Sequence, residues 1–133
     1  MPLAVVFPLG PESYALPLEQ VREIVATPGL TVLPTAPPAV LGLANLRGDV
    51  LPVMDLGRLV GSPFAAAPDF VMVVDTPRGA AGLAASGLPR IVDVDSALES
   101  DQAIWAGGVH SVDGRPVVSL DLPALLETAL AAS

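Results

Sequence analysis

The chain has 133 residues, of which 52% are hydrophobic and 15% charged, and it carries a net charge of −8 with six arginines and no lysine. This length suits one compact domain, and the scattered cations and five aromatic residues argue against a nucleic-acid interface. Because cysteine is absent, disulfides and thiolate metal sites are excluded, which is typical of proteins from the reducing cytoplasm.

Eleven short apolar segments, bounded by Gly, Pro, Asp or Asn, are predicted to be β-strands, which indicates an all-β barrel or sandwich. In chain order they are Ala4–Phe7, Tyr14–Leu18, Ile24–Ala26, Thr31–Leu33, Val40–Ala44, Val50–Met54, Phe70–Val74, Ala80–Ala84, Ile91–Val94, Ala103–His110 and Pro116–Leu120. The uncharged stretch Ile24–Leu46 contains several prolines, which would break a membrane-spanning helix, so we expect no direct insertion into a membrane.

Two aspartates mark predicted helix starts. Asp121 can cap a short C-terminal helix with Pro123 in its first turn, where the missing N–H has no cost. Asp55 can cap a shorter helical turn that ends at Gly61. Helix is therefore a minor part of the predicted fold.

The chain also repeats itself. Without any gap, Gly42–Leu56 aligns with Gly108–Leu122 at a shift of 66 positions. Upstream, Tyr14–Val25 aligns with Ala81–Val92 at a shift of 67, and Val5-Val6 with Val73-Val74 at 68. We predict a single domain, residues 1–133, made of two halves, 1–65 and 68–133, with Ser62–Pro68 as the linker. Because a half of this size would be only marginally stable alone, the halves should bury a common interface.

No convincing active site emerges from the residues. His110 is the one histidine, so a zinc site would need carboxylates alone, which suit that metal poorly. The serines Ser13, Ser86 and Ser111 lack the setting of a nucleophile, and Asp93–Asp101 is typical of a solvated acidic loop. The sequence therefore predicts a non-enzymatic protein without catalytic, cofactor-binding or metal-binding residues.

One polar pair differs from the surface charges around it. Glu23 lies in an apolar segment and Arg47 lies at a hairpin turn, and their repeat counterparts are Arg90 and Asp113. The second half therefore keeps a potential acid–base pair with the signs reversed. If Glu23 and Arg47 meet, the guanidinium could join strand and turn as a structural salt bridge. The alternative is two independent surface charges, which would contribute little.

These residues resemble the CheW-like family, the adaptor domains of bacterial chemosensory arrays. The resemblance extends from about residue 4 to residue 127, and the first half carries it most closely. Its motifs are Tyr14–Leu18, Val21–Ile24, Leu33-Pro34, Pro37-Pro38, Val40–Gly48 and Val50–Leu56.

The resemblance implies a fold of two small five-stranded β-barrels of SH3 or OB type that exchange strands between the halves. It implies a cytoplasmic adaptor, associated with receptor arrays, that links chemoreceptor signalling tips to a CheA-type histidine kinase by pairing with that kinase's own CheW-like domain. Glu23 and Arg47 match the acid and arginine thought to brace the receptor-facing side. Val21, Gly42 and Asn45 fall in the same region and are predicted to contact the receptor.

The second half departs from the family pattern. Ser86 stands where an acidic residue is usual, and the segment between Val94 and Ala103 is shorter than in the family. These departures leave open a divergent protein that binds receptor but not kinase. The residues also leave open a small barrel that binds a ligand or an oligonucleotide, and a structural β-domain with no role in signalling.

Overall fold

The described residues form eleven β-strands, two α-helices and a 3-10 helix at Leu18–Gln20. The computed structural model describes residues 3–9, 11–61, 69–77, 79–94 and 106–131. The strands are β1 (Leu3–Leu9), β2 (Glu12–Pro17), β3 (Val21–Ala26), β4 (Leu30–Thr31), β5 (Val40–Leu46), β6 (Asp49–Asp55), β7 (Phe70–Thr76), β8 (Gly79–Ala85), β9 (Arg90–Asp93), β10 (Ala106–Val112) and β11 (Arg115–Leu120); the helices are α1 (Leu56–Leu59) and α2 (Leu122–Ala131). The predicted all-β class with a short C-terminal helix is confirmed.

Two sheets contain all of these strands. Sheet A has five strands in the order β10-β11-β2-β1-β9, and sheet B has six in the order β3-β7-β8-β6-β5-β4. Apart from β4, sheet B has the same five-strand arrangement as sheet A. Each sheet takes strands from both halves of the sequence, because β1 and β2 belong to sheet A whereas β7 and β8 belong to sheet B.

The strand register relates the two sheets by an approximate twofold repeat. The parallel pair of Val53 with Gly82 in sheet B corresponds to the parallel pair of Ser119 with Ala15 in sheet A. In the first hairpins, β1 pairs with β2 as β7 pairs with β8, with Val6 opposite Ala15 and Val73 opposite Gly82. Val6 is therefore equivalent to Val73, so the shift at this strand is 67. The predicted alignment at 68 was wrong by one residue, since a run of similar valines does not fix its own register.

The core is divided into one shared cluster and two smaller ones. The shared cluster lies between the sheets and joins Phe7 and Leu16 of sheet A to Met72 and Leu83 of sheet B, all fully buried. Smaller clusters lie on sheet A, around Val6 and Val117, and on sheet B, around Val53 and Val71. Because the largest cluster takes side chains from both sheets, neither sheet could bury its apolar face alone.

Both helices begin at an aspartate, as predicted. The backbone N–H of Arg58 donates to Asp55 Oδ1 at 3.4 Å, and that of Ala124 donates to Asp121 Oδ1 at 3.2 Å. Each helix then turns two leucines into the shared cluster. These are Leu56 and Leu59 in α1, and Leu122 and Leu125 in α2. Within the described ranges, no helix is both long and apolar enough to span a bilayer.

Three predicted strands differ most from the structure. β3 begins at Val21, three residues before the predicted Ile24, and β10 ends at Val112, two residues after the predicted His110, while the predicted residues 103–105 lie outside the described residues.

The fourth strand shows the largest difference. The apolar run Thr31–Leu33 was expected to be a strand, but β4 pairs only through Leu30 and Thr31 with Ala44 and Leu43. Val32 and Leu33 lie beyond the pairing and are exposed, Val32 by 71%. An apolar composition alone therefore overestimated the strand. The predicted linker Ser62–Pro68 and most of the predicted acidic loop, residues 95–101, lie outside the described residues.

Candidate functional site

The structure brings Glu23 and Arg47 together. Arg47 Nη2 donates a hydrogen bond to Glu23 Oε1, which joins edge strand β3 to the turn between β5 and β6. In the order of sheet B, β6 is the third strand from β3. A flat sheet would separate these strands by about 14 Å at about 4.8 Å per strand. The contact therefore requires sheet B to curl into a barrel-like form, and the ion pair bridges the curled edge.

The turn that carries Arg47 has an unusual backbone for its residue type. Arg47 and Gly48 both have positive φ angles, 50° and 89°, between the paired residues Leu46 and Asp49. This is the geometry of a two-residue type I′ hairpin turn, in which Asn, Asp and Gly are favoured and Arg is not. Asn45 Oδ1 accepts a hydrogen bond from the backbone N–H of Gly48 at 3.1 Å and holds the turn from one side.

The two charges of the pair differ in their exposure. The side chain of Arg47 is 74% exposed, whereas that of Glu23 is 26% exposed. The hydrogen bond from Arg47 holds the pKa of Glu23 below its ordinary value, and the charge of Arg22 acts in the same direction. Glu23, assisted by Asp49, raises the pKa of Arg47. The result is a charged guanidinium that is held through one terminal nitrogen and is otherwise exposed to a partner.

Gly42 supports this site from beneath. It is buried in β5 at a β-bulge, where β4 crosses closely. A Cβ added at Gly42 would lie 2.6 Å from the backbone oxygen of Thr31, a distance that no side chain tolerates. The predicted receptor contact at Gly42 would therefore act by allowing β4 to pair, because the residue itself offers little surface.

Val21 and the neighbouring bulge anchor the β3 side of the site. Val21 pairs with Val74 and packs against the shared core cluster, so it is only partly exposed. The register then shifts before Glu23, which leaves Arg22 as the extra residue of the bulge. Arg22 forms an exposed ion pair with Asp75. The bulge sets the direction from which Glu23 reaches the turn.

Val50 belongs to this surface and is missing from the residues predicted from the sequence. It pairs directly with Asn45 across the hairpin, so the two side chains share one face, and it is 63% exposed. The signal was present, because Val50 and Leu51 are consecutive apolar residues in a strand, where successive side chains point to opposite faces. We name Asn45, Arg47 and Val50, with Glu23 as support, the first-half site.

The predicted sign-reversed pair is also formed. Arg90 Nη2 lies 3.5 Å from Asp113 Oδ2 and joins edge strand β9 to the turn between β10 and β11. Both side chains are exposed, by 60% and 77%. The second sheet is thus bridged at the equivalent place, but by a contact in which both partners are well exposed.

Within the part of the chain that the structure describes, there is no group of three or more His, Cys, Asp or Glu residues that could hold a metal ion. His110 lies in β10, partly buried, as an ordinary strand residue. The arrangement around Arg47 presents charge, amide and apolar surface together, which is suited to recognition of another protein.

Comparisons with known proteins agree with this fold. The family described as "CheW-like domain" matches residues 3–130. A probable chemotaxis protein CheW of Rhizobium etli is 29% identical over 131 residues, covering 91% of this chain and 84% of the relative. The chemotaxis protein CheW of Rhizobium meliloti is 30% identical over 129 residues, covering 89% and 83%. The crystal structure of the scaffolding protein TtCheW from Thermoanaerobacter tengcongensis superposes with a TM-score of 0.82 at 26% identity, over 92% of this chain and 86% of that one.

Proposed function

The chain belongs to the CheW-like family, and from this premise we propose that it is a non-enzymatic adaptor of a bacterial chemosensory system. In this role it links chemoreceptor signalling tips to a CheA-type histidine kinase in the cytoplasm, beside membrane-bound receptor arrays. The relatives that cover most of the chain are chemotaxis and scaffolding proteins by name. They give no support to a barrel that binds a small ligand or an oligonucleotide.

The exposed Arg47 is the observation that carries the receptor side of the proposal. At a left-handed position Asn, Asp or Gly is more stable than arginine, and the exposed ion pair with Glu23 offsets only part of that cost, so contact with a partner accounts better for arginine at this turn. Strain of this kind in an exposed loop is typical of functional residues. The neighbouring Val50 and Asn45 supply apolar and hydrogen-bonding surface for the same contact.

The kinase side requires a second surface, because an adaptor must hold two partners at once. Leu88 and Ile91 are large apolar side chains that are 71% and 60% exposed at the β9 edge of sheet A. Exposed apolar groups at a short edge strand favour protein contact. We assign the kinase's CheW-like domain to this edge and the receptor tip to the first-half site.

Co-purification with each partner separately tests this assignment. Arg47→Glu should lower the affinity for the receptor tip by more than about tenfold and leave the affinity for the kinase domain unchanged, because the substitution alters only the first-half site. Ile91→Glu should show the opposite pattern. Circular dichroism of both variants establishes that they are folded. If the wild-type protein binds the receptor tip but not the kinase domain, the chain is a divergent receptor-binding member of the family. Undiminished receptor binding by Arg47→Glu contradicts the receptor site.

A further inference from the structure

The approximate twofold repeat gives sheet A a second charged site, equivalent to the first-half site of sheet B, with every sign inverted. The register makes Arg90, Asp113 and Arg115 the equivalents of Glu23, Arg47 and Asp49. The side-chain charges on the edge strand, the turn and the following strand are therefore negative, positive and negative in the first half. In the second half they are positive, negative and positive. In a protein with a net charge of −8, the second site has a local excess of positive charge.

The backbones of the two sites are alike, so the difference lies in the side chains. Asp113 and Gly114 have φ angles of 53° and 75°, close to the 50° and 89° of Arg47 and Gly48. Both turns follow a bulged strand, with the bulge at Gly42 in β5 and at Gly108 in β10. The inversion is thus a change of surface chemistry on a retained scaffold.

A cavity of about 390 Å³ opens beside the second turn; we name it the Arg115 pocket. Its polar rim consists of Ser13, Arg90, Asp113 and Arg115, and its base includes Val112 and Val117, which are buried. A volume of this size can accept one or two side chains of another molecule.

Arg115 is the cation available to that molecule. Of the five arginines in the described residues, Arg22, Arg47, Arg58 and Arg90 each form an ion pair, whereas Arg115 forms none with the part of the chain that the structure describes. Arg115 is exposed and also borders a neighbouring cavity of about 370 Å³, whose lining includes Pro116, Val118 and one acidic residue, Glu12, which forms no ion pair with Arg115. Its guanidinium can present two parallel N–H donors to a carboxylate without breaking an existing contact.

We propose that the Arg115 pocket is a docking site for an acidic peptide segment of a partner protein. A glutamate or aspartate of that segment binds Arg115. Arg90 contributes positive charge and remains paired with Asp113. An adjacent apolar side chain of the segment packs on Val112 and Val117. The charge complementarity is local, because the rest of the surface is acidic and repels such a segment. This site is separate from the first-half site and does not depend on the adaptor role.

Fluorescence anisotropy with a labelled peptide of alternating glutamate and leucine tests the proposal, and the matched probe has glutamine in place of glutamate. The wild-type protein should bind the glutamate peptide at least about tenfold more tightly at low salt, because the ion pair is charge-assisted. Arg115→Gln should remove most of that difference. Arg58→Gln, which removes an equal charge outside the pocket, should stay within about twofold of the wild type.

Amide NMR spectra give the position of binding. The glutamate peptide should shift the amide signals of Val112–Arg115 and Val117 and leave those of Asn45–Val50 unchanged. Equal binding of the two peptides, equal losses in Arg115→Gln and Arg58→Gln, or shifts confined to the first-half site would each overturn the proposal. Succinate that binds as tightly as the peptide would assign the pocket to a small anion instead and overturn the peptide docking. Receptor and kinase binding are measured independently, so these outcomes do not bear on the adaptor assignment.

Discussion

The turn at Arg47 and the turn at Asp113 are built on the same backbone and differ in what they present. Both are two-residue turns with positive φ at a charged residue followed by glycine, and both are tied by an ion pair to an edge strand. Aspartate tolerates the left-handed conformation, so Asp113 suits the backbone of its turn. Arginine disfavours this conformation, so Arg47 adopts it at a cost. The shared features serve the fold, and the arginine is the departure that the fold does not require.

The comparison also shows that the sign of the ion pair is exchangeable for folding. Sheet B is bridged with the acid on the strand and the base on the turn, and sheet A with the reverse. A requirement of the barrel alone would be satisfied by either arrangement. A partner that recognises Arg47 would accept only the arrangement with the arginine on the turn, and this difference can be tested directly.

The largest effect is expected from exchanging the charges of the first pair. Arg47→Glu alone places two carboxylates together, which should lower stability and reduce receptor binding by more than about tenfold. The double variant Glu23→Arg with Arg47→Glu should recover stability, since the second half folds with that arrangement, and should not recover receptor binding. Urea unfolding and affinity for the receptor tip measure the two quantities.

The outcome of that exchange separates two interpretations. Recovery of both stability and binding would mean that the pair only braces the barrel. Recovery of neither would mean that the two halves are less equivalent than their register indicates. The corresponding exchange at Arg90 and Asp113 is the matched control, and it should leave receptor binding unchanged.

A smaller effect is expected inside the sheets, where equivalent positions have complementary sizes. Gly82 faces Val71 in sheet B, where an added Cβ would lie 2.7 Å from Val71 Cγ1. The equivalent residues in sheet A are Ala15 and Ala4, both buried. Gly82→Ala should therefore destabilise by about 1–3 kcal/mol through overpacking.

Adding Val71→Ala to Gly82→Ala reproduces the arrangement of sheet A. In a double-mutant cycle by urea unfolding, the pair should cost less than the sum of the single changes by at least about 0.5 kcal/mol. Strict additivity would show that the sheet A arrangement cannot be transferred to sheet B.

Substitution of the charged turn residue should change the stability of the protein in opposite directions at the two turns. Arg47→Asn should give a melting temperature equal to or above that of the wild type, because asparagine favours the left-handed conformation, while receptor binding is lost. Asp113→Gln should lower stability by about 1 kcal/mol, because it removes both the favoured turn residue and the ion pair. A clear fall in melting temperature for Arg47→Asn would contradict the strain assigned to this position.

The smallest effect concerns pH. Because the pKa of Glu23 is lower in the folded state, the pair stabilises the fold above the ordinary glutamate pKa of about 4.3, and this stabilisation is lost as the pH falls through the lowered value. Unfolding followed from pH 7 to pH 3 should therefore show a slightly steeper loss in the wild type than in Glu23→Gln. Arg47→Ala should match Glu23→Gln, since it removes the cause of the shift; equal slopes in all three proteins would contradict the pairing.

The sequence predicted the local features well because they depend on local chemistry. The existence of the eleven strands, both aspartate caps and the glycines of the two turns follow from patterns within a few residues, whereas the bounds of β3, β4 and β10 do not. The ion pairs could be anticipated only because the repeat showed the same two positions twice. Val50 was missed, since its exposure depends on which face of β6 meets the core.

Long-range features were less accessible. The curl that brings β3 to the β5–β6 turn depends on strands far apart in sequence, and no local pattern encodes it. The pairing of β1 with β2 and β9, which set the shift at 67, likewise appeared only in the structure. The family resemblance supplied the barrel architecture that the residues alone had left between a barrel and a sandwich.

The distribution of strands between the sheets has a consequence for synthesis on the ribosome. All six strands of sheet B lie between Val21 and Ala85, so this sheet can assemble once that part of the chain has emerged. The apolar hairpin β1–β2 emerges before sheet B but must wait for β9 and β11, which flank it in sheet A. The hairpin therefore completes its sheet only after sheet B can form, and in that interval its unpaired apolar edges are open to aggregation.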